Sequence, residues 1–385
     1  MPTVPPALAR FQDVFGDLRD PRVERTRVHV LLPLLFMAFC AVLSGCKEWE
    51  DIADFSEMKA SWFELFFPLP DGTPSRDTFR RVFERLRPKE LQKRFALWLE
   101  GFRVQLAGQV VSIDGKAIRG AFDATRPTEP LYMLHVYATE AGLLLRQMRV
   151  AGAPGEPAGT EELLALLNLA GAIVTIDANG CTQKNAELLV EQEANYVFGL
   201  KGNRGPIFEQ TKELFTQHGP SIDASAVSDE HDKGHGRIER RVVRVLPATL
   251  LDPKMRAKWR GLQTLVQVER TRIIGEETTV EQQLYLSSLA PKAEPLQRAI
   301  RAHWQIENNL HWVLDVTMGE DDGRIRDRDA AENLATFRRM ALSLMTRPEA
   351  GKKSIARKMR AAAWDDAFRT KLLALATPRI ENPLQ

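Results

Sequence analysis

A mixed α/β fold follows from three features of the sequence. The first 105 residues carry apolar side chains at helical spacing; from Val110 short β-type runs come in succession and then alternate with helical segments; residues 225–290 return to β-type runs. Consecutive strands followed by strand–helix alternation predict a sheet with antiparallel and parallel pairs, covered by helices on both faces. The expected organisation is a helical N-terminal domain over 1–105, the first part of an α/β core over 106–224, a β-rich insertion over 225–290, and core helices with a basic C-terminal region over 291–385.

The composition fits this reading. With 385 residues there is room for two or three domains, and 44% hydrophobic with 27% charged residues excludes wholesale disorder. The 53 basic and 51 acidic residues nearly cancel, so any preference for an anionic partner has to come from local clusters. Two exist: Arg76, Arg80, Arg81, Arg85, Arg87, Lys89, Lys93 and Arg94, and Lys352, Lys353, Arg357, Lys358 and Arg360. Such runs are ordinarily solvated helix faces, but a phosphate backbone would select the same pattern. Cys40, Cys46 and Cys181 are too few and too scattered for a disulfide framework or a thiolate zinc site, which fits a reducing cytoplasm. The apolar run Val30–Leu43 is shorter than the roughly 20 residues of a membrane span, contains Pro33 and begins too late for a secretory signal, so a buried helix is expected.

Taken in order, Trp49, Ile52, Phe55 and Met58 form an apolar stripe at helical spacing. Pro74 and Ser75 open the next helix, where Phe79, Val82, Phe83 and Leu86 lie opposite the arginines. Strands are expected at VVSIDG, LYMLHVYAT and LLLRQMRV, then a helix at GTEELLALLNLA, a strand at AIVTIDANG, a helix at TQKNAELLVEQE and a strand at YVFGLK. APGEPAG reads as a Pro/Gly loop. RIERRVVRVL, LQTLVQVERTRI and EQQLYLSSL make up the insertion, and a long helix resumes at Pro295.

In VVSIDGKAIRG, Gly115 is expected to end the strand directly after Asp114; Asp177 likewise ends a strand. Sites in open α/β sheets lie beyond the carboxyl ends of the strands, where both aspartates would stand. In the later helix Leu296, Ile300, Trp304, Glu307, His311 and Leu314 recur at spacings of three and four, which puts Glu307 on the inward face. A buried carboxylate needs compensation, and metal ions shared with Asp114 and Asp177 would provide it. An all-oxygen donor set suits Mg²⁺ or Mn²⁺. His303 and His311 flank Glu307 without forming a His-Glu-x-x-His arrangement and are expected to hydrogen-bond rather than to ligate; His231 and His235 are expected to be solvated. GEDDGRIRD does not match a calcium loop, because Met318 falls at the first ligand position, and GLKGNRG lacks the Gly-Lys-Ser/Thr ending of a P-loop.

The stretches DPRVERTRVHVLLPLL, TPSRDTFRRVFERL, VVSIDGKAIRGA, VTIDANGCTQKNAELL, YVFGLKGNRG and HWQIENNLHWVLDVTMGEDDGRIRDRDAAENLATFRRMALSL together resemble a bacterial insertion-sequence transposase of the DDE type, in the ISAs branch that includes the H-repeat-associated proteins. The resemblance implies an RNase H-like core, two Mg²⁺ ions for which Mn²⁺ can substitute, cleavage and joining of transposon ends, and an Asp, Asp, Glu triad at Asp114, Asp177 and Glu307. It also implies DNA partners, namely terminal inverted repeats and target, and a homodimer assembled on DNA ends. Related transposases carry a Tyr, Arg, Glu, Lys signature around the glutamate; its spacing here yields Ile300, His303, Glu307 and Leu314, so the auxiliary basic contacts differ. Candidate DNA contacts are Arg76, Arg80, Arg81, Lys116, Arg119, Lys184, Lys201, Arg204 and His303, with Trp259 a candidate for stacking on an unpaired base as well as for the core. Three functions fit these residues: transposition, a metal-dependent nuclease without a joining step, and a domesticated DNA-binding protein.

Overall fold

The computed structural model describes residues 6–102, 105–121, 131–219, 222–223, 226–234 and 237–376; the expectation for His235 lies outside them. Among the described residues nine strands form one continuous sheet: β1 (Val110–Ile118), β2 (Leu131–Ala138), β3 (Leu143–Val150), β4 (Ile173–Ile176), β5 (Asn195–Leu200), β6 (Val227–Gly234), β7 (Arg237–Pro247), β8 (Thr264–Ile274) and β9 (Glu277–Ser287). Their spatial order is β3-β2-β1-β4-β5-β9-β8-β7-β6. The pairs β3/β2 and β2/β1 are antiparallel, β1/β4 and β4/β5 parallel. These first five strands make the RNase H-like core that the resemblance implies. The strands β6–β9 add to this sheet: β9 pairs antiparallel with β5 and so extends it at that edge.

The central strands read IVTI in β4 and VVSI at the start of β1 because both their faces are covered. Val111, Ile113, Val174 and Ile176 pack with Leu163 of helix Glu156–Ala165 and Leu189 of helix Gln183–Glu191. Val110, Ile173 and Val197 point the opposite way, onto Leu296, Ala299 and Ile300 of helix Ala293–Ile306. Side chains alternate with period two along a strand, so this second face also carries Ser112, Asp114, Thr175 and the position of Asp177. Trp259 is buried with Leu262 and Leu265 in the first of these cores, which assigns it a packing role and removes it from base stacking.

Two groups of helices build a lobe beyond β3. The N-terminal group is α1 (Pro6–Phe15), α2 (Leu31–Leu43), α3 (Trp49–Met58), α4 (Ala60–Phe63), α5 (Arg76–Arg85) and α6 (Pro88–Glu100). The helices described above over Glu156–Ala165, Gln183–Glu191 and Ala293–Ile306 are α7, α8 and α11; between them lie α9 (Pro206–His218) and α10 (Pro253–Ala257). The C-terminal group is α12 (Arg328–Met345), α13 (Ile355–Trp364) and α14 (Asp366–Ala374). Every residue of α12 from Ala330 to Met345 is buried, and α12 runs through the N-terminal helices. Asn333 donates to the carbonyls of Phe83 and Leu86, and the Arg369 guanidinium lies over the Trp62 ring. Residues 6–102 and 328–376 therefore share one core.

The apolar helix α2 is buried along nearly its whole length, and Phe79, Val82, Phe83 and Leu86 face inward as their spacing requires. Met58, by contrast, is solvent-exposed: the stripe of α3 narrows at its C-terminal end. Among the described residues no helix is long and apolar enough to cross a membrane.

Candidate active site

Asp114 and Asp177 stand at the same end of adjacent strands because β1 and β4 are parallel neighbours in register Ile113↔Ile176, and each aspartate is the next residue. Contrary to the expectation from Gly115, β1 does not stop at Asp114. It continues to Ile118 in its pairing with β2, while its pairing with β4 ends at Ile113. Asp114 therefore stands at the fork where the parallel pair separates. Gly115 serves close approach rather than strand termination: a Cβ there would lie 2.5 Å from the Tyr132 ring. Asp177 Oδ1 accepts from the backbone N–H groups of Asn179 and Gly180, at 2.9 and 3.3 Å, which turns the chain toward α8.

Helix α11 lies on the face of the sheet that carries both aspartates and delivers Glu307 from its C-terminal end. There the helix widens into π turns over Glu307–His311 and Val313–Thr317. Two residues depart from the inward facing predicted from α-helical spacing. Leu296, Ile300, His311 and Leu314 are buried, but Trp304 is 48% exposed and the Glu307 side chain 53% exposed. Glu307 is thus at the mouth of the site, where water reaches it.

Asp114, Glu307 and His311 offer ligand atoms that all lie within 4.8 Å of one another. Burial, reinforced by the Glu307 and Asp177 carboxylates, pushes the Asp114 carboxyl up to about 8. A hydrogen bond from His311 holds Glu307 below the usual carboxylate range. The His311 imidazole was set aside as a ligand on motif grounds, yet its Nδ1 lies 3.4 Å from Glu307 Oε2 and 3.7 Å from Asp114 Oδ2. A histidine four residues after a helical carboxylate was the available signal. Behind it, His135 stands opposite Asp114 in the β1/β2 register, and its Nδ1 is 3.2 Å from His311 Nε2. Arg339 of α12 closes this chain, bonding His135 Nε2 and the buried Glu320.

The Pro/Gly stretch APGEPAG is more than a loop. It opens α7 and buries Glu156, whose Oε2 accepts from Tyr132 Oη at 3.4 Å and Asn179 Nδ2 at 3.3 Å. Burial and the nearby Asp177 raise its carboxyl to about 7. Glutamate in a Pro/Gly-rich segment carries no local signal of this placement.

The candidate DNA contacts have different surroundings. Lys116 is buried and ion-paired with Asp315, Glu320 and Asp321 at 2.5, 3.2 and 3.5 Å, so it is part of the scaffold and cannot reach DNA. His303 bonds Thr175 Oγ1 at 2.9 Å and is pushed down to about 4 by burial, so it is neutral near pH 7 and supplies no charge to a phosphate. Arg204 lines the site, donating to the carbonyls of Ala178 and Asn179 beside Asp177, while Lys201 and Arg119 are exposed nearby in sequence to β5 and β1. Lys184 is exposed and paired with Glu187. On α5, Arg76 pairs with Glu50 and Arg80 with Asp77 and Glu84, whereas Arg81 and Arg85 are exposed. Trp304 and Trp312, 48% and 56% exposed, flank Glu307 along the helix; the packing expectation for Trp304 had hidden the former.

Comparison with known proteins shows the family of the chain. Residues 106–344 match the family model described as Transposase DDE domain, and residues 12–99 match one described as DDE_Tnp_1-associated. The chain belongs to the DDE transposase family. A protein of Escherichia coli (strain K12) named "H repeat-associated putative transposase YhhI" is 34% identical over 376 residues, 95% of this chain and 98% of that one. The protein named "Putative transposase YncI" of Escherichia coli O157:H7 is 32% identical over 94% of each chain. A solved structure, the piggyBac transposase synaptic complex with hairpin DNA, aligns with a TM-score of 0.49 at 13% identity, covering 100% of this chain and 83% of that one. DDE transposases use divalent metal. The donor chemistry here fits such an ion, because carboxylates converge on Asp114 and the charges that act on it most strongly are themselves negative.

Proposed function

We propose that this transposase cleaves the ends of its element and joins them to target DNA, with Asp114, Asp177 and Glu307 holding two Mg²⁺ ions, for which Mn²⁺ can substitute. The observation that carries the reading is the like-charge convergence at Asp114: two carboxylates raise a third that is already largely buried, a state that a divalent cation relieves. When bound, the ions activate the attacking hydroxyl and stabilise the departing oxygen of an in-line displacement.

The chain's own residues supply position. The parallel β1/β4 pair fixes the two aspartates, α11 brings the glutamate over them, and the backbone N–H groups of Asn179 and Gly180 orient Asp177. The open side of Glu307 leaves room for a backbone phosphate to approach. Arg81, Arg119, Lys201 and Arg204 present donors for flanking phosphates. Because an element has two ends, two copies of the chain are needed, and we propose that they assemble as a homodimer on the DNA.

The test is a cleavage and strand-transfer assay on DNA carrying the element's own termini. Substituting Asp114, Asp177 or Glu307 singly by Ala is expected to abolish metal-dependent nicking while end binding is retained. Wild-type nicking by Asp114→Ala would overturn the reading, and release of ends with no joined product would reduce it to a nuclease.

A further inference from the structure

We infer that His311 is a positioning residue locked as its Nδ1–H tautomer: its Nδ1–H is directed at the Glu307 carboxylate, 3.4 Å away, with Asp114 just beyond, and it is not itself a nitrogen ligand to metal. The argument starts from Arg339, which has only donors to offer. Its Nε and Nη2 lie 3.1 and 3.0 Å from His135 Nε2, so that nitrogen must be a lone pair. The proton of the neutral His135 ring is then on Nδ1. That Nδ1 lies 3.2 Å from His311 Nε2, so His311 Nε2 must accept and the proton of His311 must sit on Nδ1. His311 Nδ1 faces Glu307 Oε2 and Asp114 Oδ2.

Ligation through Nδ1 would require the proton to move to Nε2, which would bring two N–H groups face to face between the rings. The relay cannot readily invert, because Arg339 is anchored on both sides. Its Nη1 and Nη2 bond Glu320 Oε1 and Oε2 at 2.5 and 3.1 Å, and Glu320 is in turn held by Lys116 at 3.2 Å. Arg339, His135 and Glu320 are all buried, so water does not compete for these bonds. The relay thus connects the helical lobe, through α12, to the one triad carboxylate that is exposed. A long exposed side chain such as Glu307 would otherwise sample several rotamers, and a donor fixed one turn away selects the one that faces Asp114.

The relay is read by histidine ¹⁵N NMR on the full-length, metal-free protein, with His311 and His135 assigned from the signal lost in each single variant. Both rings are expected in the Nδ1–H form; His311 found as Nε2–H would overturn the proposal. His135→Gln keeps an acceptor for Arg339 and a donor for His311, whereas His135→Leu keeps neither. His311 is expected to stay Nδ1–H in the Gln variant and to shift toward Nε2–H in the Leu variant, and identical His311 spectra in the two folded variants would also overturn it. The consequence for catalysis rests on the proposed cleavage reaction: kcat for nicking should fall roughly tenfold or more in His135→Leu, with end affinity unchanged, and should recover in His135→Gln. The NMR arm needs neither metal nor DNA, so failure of the relay and failure of the cleavage reading are distinguishable.

Discussion

Replacing Asp114 by Asn should stabilise the metal-free protein at high pH while abolishing cleavage. Asn reproduces the neutral form of the carboxyl: its Oδ1 can keep the 2.9 Å bond from the Gly115 N–H, and its amide can donate toward Glu307. In the wild-type fold the Asp114 carboxyl is raised from 3.8 to about 8. About four units at ~1.4 kcal/mol each set a ceiling of ~6 kcal/mol on the destabilisation caused by ionising it in place. Asp114 and Glu307 titrate together and Glu307 is moved the other way, so a net effect of ~2–4 kcal/mol is expected. The sign follows from linkage. A raised folded-state value contributes stability that is fully present below pH ~4 and is lost as pH rises through ~8. Urea unfolding of both proteins, metal-free, from pH 4 to pH 9 is the assay. Wild type should lose stability across that range relative to Asp114→Asn, and added Mg²⁺ should raise the wild-type midpoint at pH 9 but not that of the variant. A variant less stable than wild type at pH 9, with a parallel pH profile, would refute the picture of uncompensated carboxylates.

Four further outcomes are expected. Burial raises the Glu320 carboxyl, but Arg339 and Lys116 more than offset this and hold it at about 2; its stabilisation, up to ~3 kcal/mol, is present above pH ~4.5 and disappears as pH falls toward 2. Glu320→Gln should flatten that acid limb, and Arg339→Met should cost ~3–5 kcal/mol in denaturant unfolding at pH 7 because it removes the main partner of a buried charge. At Glu156, raised to about 7, Gln keeps the acceptor for Tyr132 and Asn179 and should stabilise the metal-free protein above pH 7, whereas Ala orphans both groups and should destabilise it by ~1–3 kcal/mol. Charge reversal at Arg81 and Arg85 should weaken binding to element ends and flatten its salt dependence; deleting residues 1–105 is no test of this, since it would strip α12 of its packing partners. Trp312→Ala should leave the melting temperature unchanged but weaken DNA binding by ~1–3 kcal/mol if the exposed ring stacks on a base, and an unchanged Kd would assign it no DNA contact.

The sequence by itself determined the strands of the core sheet and put Asp114 and Asp177 at the ends of their apolar runs. Apolar β-type runs ending in Asp114 and Asp177, alternating with amphipathic helices, permit few arrangements other than parallel neighbours with both aspartates at the same end. Local pattern was also enough for the buried face of α5 and for α2, because burial of one helical face is written in a 3.6-residue period. Pattern failed at the mouth of the site. Trp304 and Glu307 keep the apolar spacing of α11 and are nevertheless exposed, because spacing shows which face of a helix a residue shares and not what covers that face. It failed again where the partner is distant in the chain. Lys116 looked like a phosphate contact until Asp315, Glu320 and Asp321 enclosed it, and the hydrogen bonding expected of His311 has partners that only the packing of β2 and α12 supplies, His135 and, behind it, Arg339. Those roles depend on which groups lie within about 3 Å of a side chain, a quantity set by how β2, α11 and α12 pack and not by the residues adjacent in sequence.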